Sequence, residues 1–476
     1  MGNRSPSTSL HFLDDDSILN ILHFCRPVPL DEHVDDDAQI LQGGEWGRER
    51  WWYKLAQVCR RWRYLILGST SRLRLCLLCT HNTPITDILT HSPPLPLVID
   101  HMEPGGGRTV ENEEGMLLAL QHRDRIRRVR ISWPIPNLQR FFMAMDGEFP
   151  MLEYLYVAPS SKSDTSLVLP HTFQAPHLRY LILIGFAFPI GRPLFPTSMG
   201  IVTLSLQEID SYINFRLNDL FHLLSLLPQL ESLTIGFNAH VVVQPPKMSN
   251  MTHLTLPNLH HFAFEGISTY LEMLLPRMTT PLLEKLRVHF FNFLSSSFTM
   301  PCLRDFMSRA PNLRFNKATL TFYAWGIVAM LYRYPRKGSP RMYAVNMHIF
   351  CGYPNWQVSS VARIFTALSP ALSDVVDLTL GYSEHVSSSE WPHETDRTRW
   401  RALLRSFHNV KTLLVYEGLT RELSRSLRPV VGESCVDLLR ELKELEYFTY
   451  WPASDAFSSF VKARQLAGFP VTLMRL

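Results

Sequence analysis

From residue 126 onward, apolar residues keep returning at the first, fourth and sixth places of a short phrase, with polar residues between them. The phrase reads Pro150-Met-Leu-Glu-Tyr-Leu-Tyr-Val, Pro176-His-Leu-Arg-Tyr-Leu-Ile-Leu, Pro228-Gln-Leu-Glu-Ser-Leu-Thr-Ile, Pro257-Asn-Leu-His-His-Phe-Ala-Phe and Pro281-Leu-Leu-Glu-Lys-Leu-Arg-Val. Without the proline it recurs at Ile126-Arg-Arg-Val-Arg-Ile, Ile201-Val-Thr-Leu-Ser-Leu, Val375-Val-Asp-Leu-Thr-Leu, Val410-Lys-Thr-Leu-Leu-Val and Leu445-Glu-Tyr-Phe-Thr-Tyr. Ala310-Pro-Asn-Leu313 restarts it in a slipped register. The alternation at its end predicts a strand with one buried face. Helical periodicity fills the gaps, over Leu217 to Leu227, Tyr270 to Leu275, Cys302 to Arg309, Trp356 to Leu368, Arg399 to Phe407 and Ala456 to Leu466.

The phrases from Ile126 to Leu283 start at intervals of roughly 20 to 29 residues, the period of a leucine-rich repeat, and the later ones are wider apart. A strand-turn-helix unit cannot bury its own apolar side, so neighbours must stack. The fold class expected is α/β: a leucine-rich-repeat-like solenoid over residues 69–476, with a parallel sheet inside and helices outside. Leu73, Leu75 and Leu77 are expected on one side of an earlier strand, Leu95 to Asp100 in another, and Gly468 to Leu473 in a last, capping one. The residues between the core leucines then face outward from the sheet. In the early repeats they are rich in arginine and tyrosine, the types that dominate protein interfaces. Arg128, Arg130, Tyr154, Tyr156 and Tyr180 are therefore the candidate target-binding residues.

The front of the chain follows a different period. Residues 1–9 are polar and expected to be disordered. Asp14, Asp15 and Asp16 stand where negative charge favours a helix start. Ile18, Leu19, Ile21, Leu22 and Cys25 form its apolar stripe, and Pro27 ends it. Residues 27–48 are acidic and aperiodic, an expected insertion whose carboxylates fit no Ca²⁺ loop. Between Arg50 and Gly68 the helical spacing returns at Trp51, Leu55, Val58, Cys59, Trp62, Leu65 and Ile66.

These two helical stretches resemble the halves of an F-box. Leu13-Asp-Asp-Asp-Ser-Ile-Leu-Asn-Ile-Leu-His-Phe-Cys is similar to the family's Leu-Pro-x-Asp-x-Leu-x-x-Ile-x-x-x-Leu, and Trp52-x-x-Leu55-x-x-Val58-Cys59-Arg60-x-Trp62 looks like its second half. The wording from Trp51 to Asp100, and much of the chain beyond, is similar to a large set of fungal F-box-like proteins with irregular leucine-rich repeats. The resemblance implies an F-box-like domain over residues 10–68. It implies docking on a Skp-type adaptor, and through it a cullin, with Leu13, Ile18, Leu19, Leu22, Leu55, Val58, Cys59 and Trp62 as the adaptor-binding residues. Asp14 takes the place of the family's proline.

Composition narrows the chemistry. A hydrophobic content of 46% and a charged fraction of 19% describe a globular chain with ample core material. A net charge of +4 over 476 residues gives no reason to expect nucleic acid as a partner. The run from Arg123 to Arg130 alternates with Ile126, Val129 and Ile131, as a strand with a solvated face does. No apolar run reaches the roughly 18 residues of a membrane span, and no export signal is read, so the 7 cysteines are expected as free thiols in the cytoplasm or nucleus. Cys76-Leu-Leu-Cys79 lacks a second pair at zinc spacing, Gly105-Gly-Gly107 lacks the lysine of a phosphate loop, and no Gly-x-Ser-x-Gly elbow occurs. No catalytic residue, metal or cofactor is assigned.

The expected function is thus a substrate-recruiting receptor of a Skp-cullin ubiquitin ligase, with an unidentified target protein on the solenoid. The alternative is a protein-binding repeat scaffold that no longer engages the adaptor, for which Asp14 and the acidic insertion speak.

Overall fold

In the computed structural model the proline of the repeated phrase occupies the second place of a tight turn. The amide of the phrase's first leucine donates back three residues: Leu152 to the Phe149 carbonyl, Leu178 to Ala175, Leu230 to Leu227, Leu259 to Leu256 and Leu283 to Thr280, at 3.1 to 3.4 Å. Proline presets the backbone angle that this place requires. The chain then runs straight into a strand, and the amide after the leucine bonds to the preceding repeat, as Glu153 does to the Arg127 carbonyl and Glu284 to that of His260, both at 2.8 Å. One phrase therefore encodes turn, strand and stacking together.

The structure describes residues 13–25, 51–80, 84–102, 110–161, 167–187, 194–209, 217–238, 253–291, 300–333, 343–351, 354–383, 397–416, 418–428, 438–448 and 456–476. Residues 1–9, the acidic insertion 27–48 and Gly105 to Gly107 lie outside them. The chain divides into two compact units, Met1–Ile201 and Val202–Leu476.

The first unit opens with α1 (Asp15–Phe24), α2 (Trp51–Ala56), α3 (Arg60–Gly68) and α4 (Thr70–Leu73). There follow β1 (Leu77–Thr80), α5 (Ile85–His91), β2 (Leu97–His101), α6 (Val110–Leu120), β3 (Ile126–Trp133), α7 (Ile135–Ala144), β4 (Tyr154–Pro159), β5 (Tyr180–Ile184) and α8 (Leu194–Thr197). Its strands β1 to β5 pair in chain order, all parallel. Ile126, Val129, Ile131, Leu152, Leu155, Val157, Leu178 and Leu181 are fully buried, so the first, fourth and sixth places do build the core. The expected strand face at Leu73, Leu75 and Leu77 starts later than the alternation suggests. Leu73 closes α4, and Arg74, in the left-handed region at φ 48°, turns the chain before β1.

The second unit runs β6 (Thr203–Ile209), α9 (Leu217–Ser225), β7 (Ser232–Phe237), β8 (Leu254–Thr255), β9 (His261–Gly266), α10 (Ser268–Leu274), β10 (Met278–Thr279), β11 (Lys285–Phe290) and α11 (Pro301–Arg309). It continues with β12 (Lys317–Tyr323), β13 (Gly326–Tyr332), β14 (Tyr343–Phe350), α12 (Pro354–Leu368), β15 (Asp377–Tyr382), α13 (Arg397–Arg405), β16 (Thr412–Val415), α14 (Thr420–Leu427), β17 (Glu444–Tyr447), α15 (Ser458–Leu466) and β18 (Thr472–Arg475). The order across its sheet is β6-β7-β9-β11-β14-β13-β12-β15-β16-β17-β18, with β8 and β10 paired apart. The expectation of an all-parallel sheet fails at β13, which runs antiparallel to both β12 and β14. This three-strand meander fills the wide interval between Ala310-Pro-Asn-Leu313 and the phrase at Val375. Its tight corner demands Gly326, where a Cβ would collide with the Ile349 carbonyl. The last phrase also sits three residues earlier than its wording suggests: Leu442, Leu445 and Tyr447 are the buried places.

Two parallel-dominated stacks of strand and helix, each with a leucine-lined core, are thus the architecture. Among the described residues no helix is long and apolar enough to cross a membrane.

Candidate functional site

The helical module at the front is held by its acidic start. Asp14 caps α1, its Oδ1 accepting from the Ser17 amide at 2.6 Å, and that amide holds the carboxyl below its ordinary value of 3.8. The next two acids reach across the module instead. Arg61 on α3 donates to Asp15 Oδ1 from Nε at 2.9 Å and from Nη2 at 2.7 Å, and to the Leu13 carbonyl at 2.6 Å. Arg72 on α4 donates to Asp16 Oδ1 at 3.2 Å and to Asn20 Oδ1 at 2.7 Å. Because both ion pairs are exposed, each contributes only about 0–1 kcal/mol, and their role is to set the orientation of α1.

The single helical stretch read between Arg50 and Gly68 is broken in two. Cys59 takes an extended backbone and its Sγ caps α3 through the Trp62 amide at 3.5 Å, while Arg63 Nε donates to the Ala56 carbonyl at the end of α2. Trp52 is buried and its indole N–H donates to the Cys76 carbonyl at 3.3 Å, fastening the module to the start of β1.

The structure separates the eight candidate adaptor residues into two roles. Ile18, Leu19 and Leu22 are buried and form the module's own core, so no partner reaches them without unfolding it. Leu13, Leu55, Cys59 and Trp62 are half-buried, and Val58 is 60% exposed. Three apolar side chains left outside were not among the candidates: Ile21, Phe24 at 86% and Tyr64 at 80% exposure. Ile21 lay in the apolar stripe, but a stripe that wide wraps past the covered side of a short helix.

Register assembles the five candidate target-binding residues into two rungs on the open face of β3 to β5. Arg128, Tyr154 and Tyr180 stand side by side, and so do Arg130, Tyr156 and Ile182. The Tyr154 and Tyr180 ring centroids are 6.1 Å apart. The first rung is half-buried throughout, whereas in the second only Ile182 is. Arg130 lies beside Asp100 in register on one side and over the Tyr156 ring at 5.9 Å on the other, and Arg130 and Tyr156 are 3% and 6% exposed. The expected solvated face of the arginine run is thus covered at Arg130, which the Tyr156 ring and the neighbouring strand of Asp100 shield from water. Arg127 pairs with Glu153 at 3.0 Å at the strand entrance.

Cys76 and Cys79 are both buried free thiols and sit three places apart, hence on opposite faces of the strand; Cys76 packs with Leu78 and Val98.

No protein-family model matches the chain, and no curated protein matches it. Among solved structures it is similar to a chain of the crystal structure of a TLR13–ssRNA13 complex, with 12% identity and a TM-score of 0.30. The match covers 83% of this chain and 48% of that one, so this chain spans about half the length of its structural neighbour. At so low a TM-score the likeness does not bear on what this chain binds.

Proposed function

We propose that the chain is a substrate-recruiting receptor of F-box type, whose helical module docks on a Skp-type adaptor and whose sheets hold a target protein. One observation carries the reading. A four-helix module is tied to the residue before the first strand by the Trp52 indole while Val58, Tyr64, Phe24 and Ile21 remain uncovered on its outside. Apolar side chains of that size on a small module are what a partner protein covers. The chain itself makes and breaks no bond in this scheme. It supplies proximity, fixing a lysine-bearing target near the ubiquitin-transferring enzyme. The target's first contact is the rung Arg128, Tyr154 and Tyr180.

Co-purification with the adaptor tests the docking. Wild type is expected to retain it, and Val58→Asp combined with Tyr64→Asp to lose it, since both positions are exposed and the module's core is untouched. Equal capture by both proteins refutes the assignment. Capture by neither favours the second reading, a repeat scaffold without an adaptor, which the burial of Ile18, Leu19 and Leu22 supports.

A further inference from the structure

We propose that the aromatic row crossing the strand ends of the second unit, from β14 to β17, binds a proline-rich segment of a target protein in the polyproline II conformation. The proposal rests on reading the sheets as protein-binding faces, but not on adaptor docking.

Ile349, Phe322, Val415 and Tyr447 are buried in the core, so the residue after each stands on the open face. These residues are Phe350 on β14, Tyr323 on β12, Tyr416 just past β16 and Phe448 just past β17. Trp325, in the turn from β12 to β13, joins the first two: its ring is stacked at 5.0 Å from that of Tyr323 and at 5.5 Å from that of Phe350. Tyr416 and Phe448 stack likewise at 5.0 Å. Between the two stacks β15 presents Gly381, and the Tyr416 ring leans over it, 3.7 Å from where a Cβ would sit. Trp325, Phe350 and Tyr416 are 37%, 44% and 44% exposed, so the rings do not seal one another from water. Large rings left partly uncovered side by side form a contiguous patch of the kind that partners cover, which scattered ones do not.

Spacing and charge select the ligand. The order β14-β13-β12-β15-β16 puts Phe350, Tyr323 and Tyr416 on every second strand. Neighbouring strands lie about 4.8 Å apart, so these rings recur about every 9.6 Å across the sheet. A polyproline II helix turns once in three residues of about 3.1 Å each, and so shows the same side about every 9.3 Å. A segment crossing the strand ends therefore lays one turn against each ring. Among the described residues, the last open-face places from β14 to β17 carry no cation and no carboxylate; His348 and Glu446 stand one place further in, at the two flanks. The row thus offers nothing to the phosphates of a nucleic acid or to a charged peptide. Nor does it offer a ladder to an added strand, since the amides of Cys351, Ser383, Tyr416 and Phe448 already bond to the carbonyls of Trp325, Phe322, Leu380 and Val415 at 2.8 to 3.0 Å. Polyproline II needs no ladder, and its bare carbonyls accept from tyrosine hydroxyls and an indole N–H, the donors that this row carries.

The full chain titrated with a fluorescent peptide of repeated Pro-Pro-Ala tests this, with the all-D mirror image, a neutral oligosaccharide and a single-stranded oligonucleotide as comparison ligands. The L-peptide is expected to bind, to change less than about twofold as salt is raised, and to lose at least about tenfold in affinity on Trp325→Ala plus Tyr416→Ala. An unchanged thermal melt shows that the variant is folded; should the pair lower the melt, Phe350→Ser at the open end of the row repeats the test, with a loss of at least about threefold expected. Tyr154→Ala in the first unit is expected to leave binding intact. No binding by wild type, equal binding by the folded variants, equal binding of the mirror image, or tighter binding of the oligosaccharide or oligonucleotide overturns the proposal. Adaptor capture is read separately: a wild type that keeps the adaptor and ignores the peptide sinks this proposal alone, and one that takes the peptide without the adaptor leaves it standing.

Discussion

Replacing Arg464 with methionine should loosen the end of the second unit. Arg464 lies on α15, is 1% exposed, and its guanidinium donates to the carbonyls of Leu438, Leu439, Arg440 and Leu442 at 3.2, 3.1, 2.9 and 3.4 Å. The rings of Phe460 and Phe469 flank it at 5.7 and 5.9 Å. The turn it holds contains Leu439 at φ 53°, a left-handed backbone that leucine adopts only when its surroundings impose it. Methionine keeps the apolar stem against the two rings and removes only the donors. The three shorter bonds, at about 1.5 kcal/mol each because the freed carbonyls partly regain water, give about 4.5 kcal/mol. A terminal repeat contacts only its inner neighbour, so the loss is local to β17, α15 and β18. Hydrogen exchange at Thr472, whose amide bonds to the Lys443 carbonyl at 2.8 Å, is expected to quicken by about a thousandfold, with strands nearer β6 unaffected. Protection at Thr472 within about twofold of wild type would refute the reasoning that this cation anchors the cap.

Two further outcomes follow from titrating groups. The Asp14 carboxyl is held below 3.8, so its contribution to α1 is present above that pH and lost as pH falls beneath it; exchange at Ser17 should rise there, and Asp14→Asn, which still caps, should abolish the pH dependence. Burial and the neighbouring Glu272 carboxylate push the Cys302 thiol up to about 11, so a brief iodoacetamide pulse near about pH 8 should label exposed Cys25 well before Cys302. Glu272→Gln, which removes the charge and keeps one of the two acceptor oxygens that take the Cys302 and Leu303 amides, should speed Cys302; labelling that ignores this change would contradict the electrostatic cause.

What the chain's wording settled by itself is what is local. Pro150 or Pro228 fixes one backbone angle of a turn, Leu152 or Leu230 closes it, and the next two apolar places can only face the core, so turn, strand and burial are written within eight residues. Strand direction is not local. Alternation reads the same in parallel and antiparallel strands, so nothing around Gly326 announced that β13 would run backward, and the meander emerged only when Ile327 took its place between Phe322 and Ile349. Burial of polar groups is not local either: Arg130 looked solvated until Asp100 and Tyr156 closed on it from neighbouring strands. The tether from Arg61 to Asp15 joins residues with no shared spacing along the chain. Periodicity carries the core because each apolar residue seeks any apolar neighbour; a polar site depends on which particular groups meet, and only the stacked strands decide that.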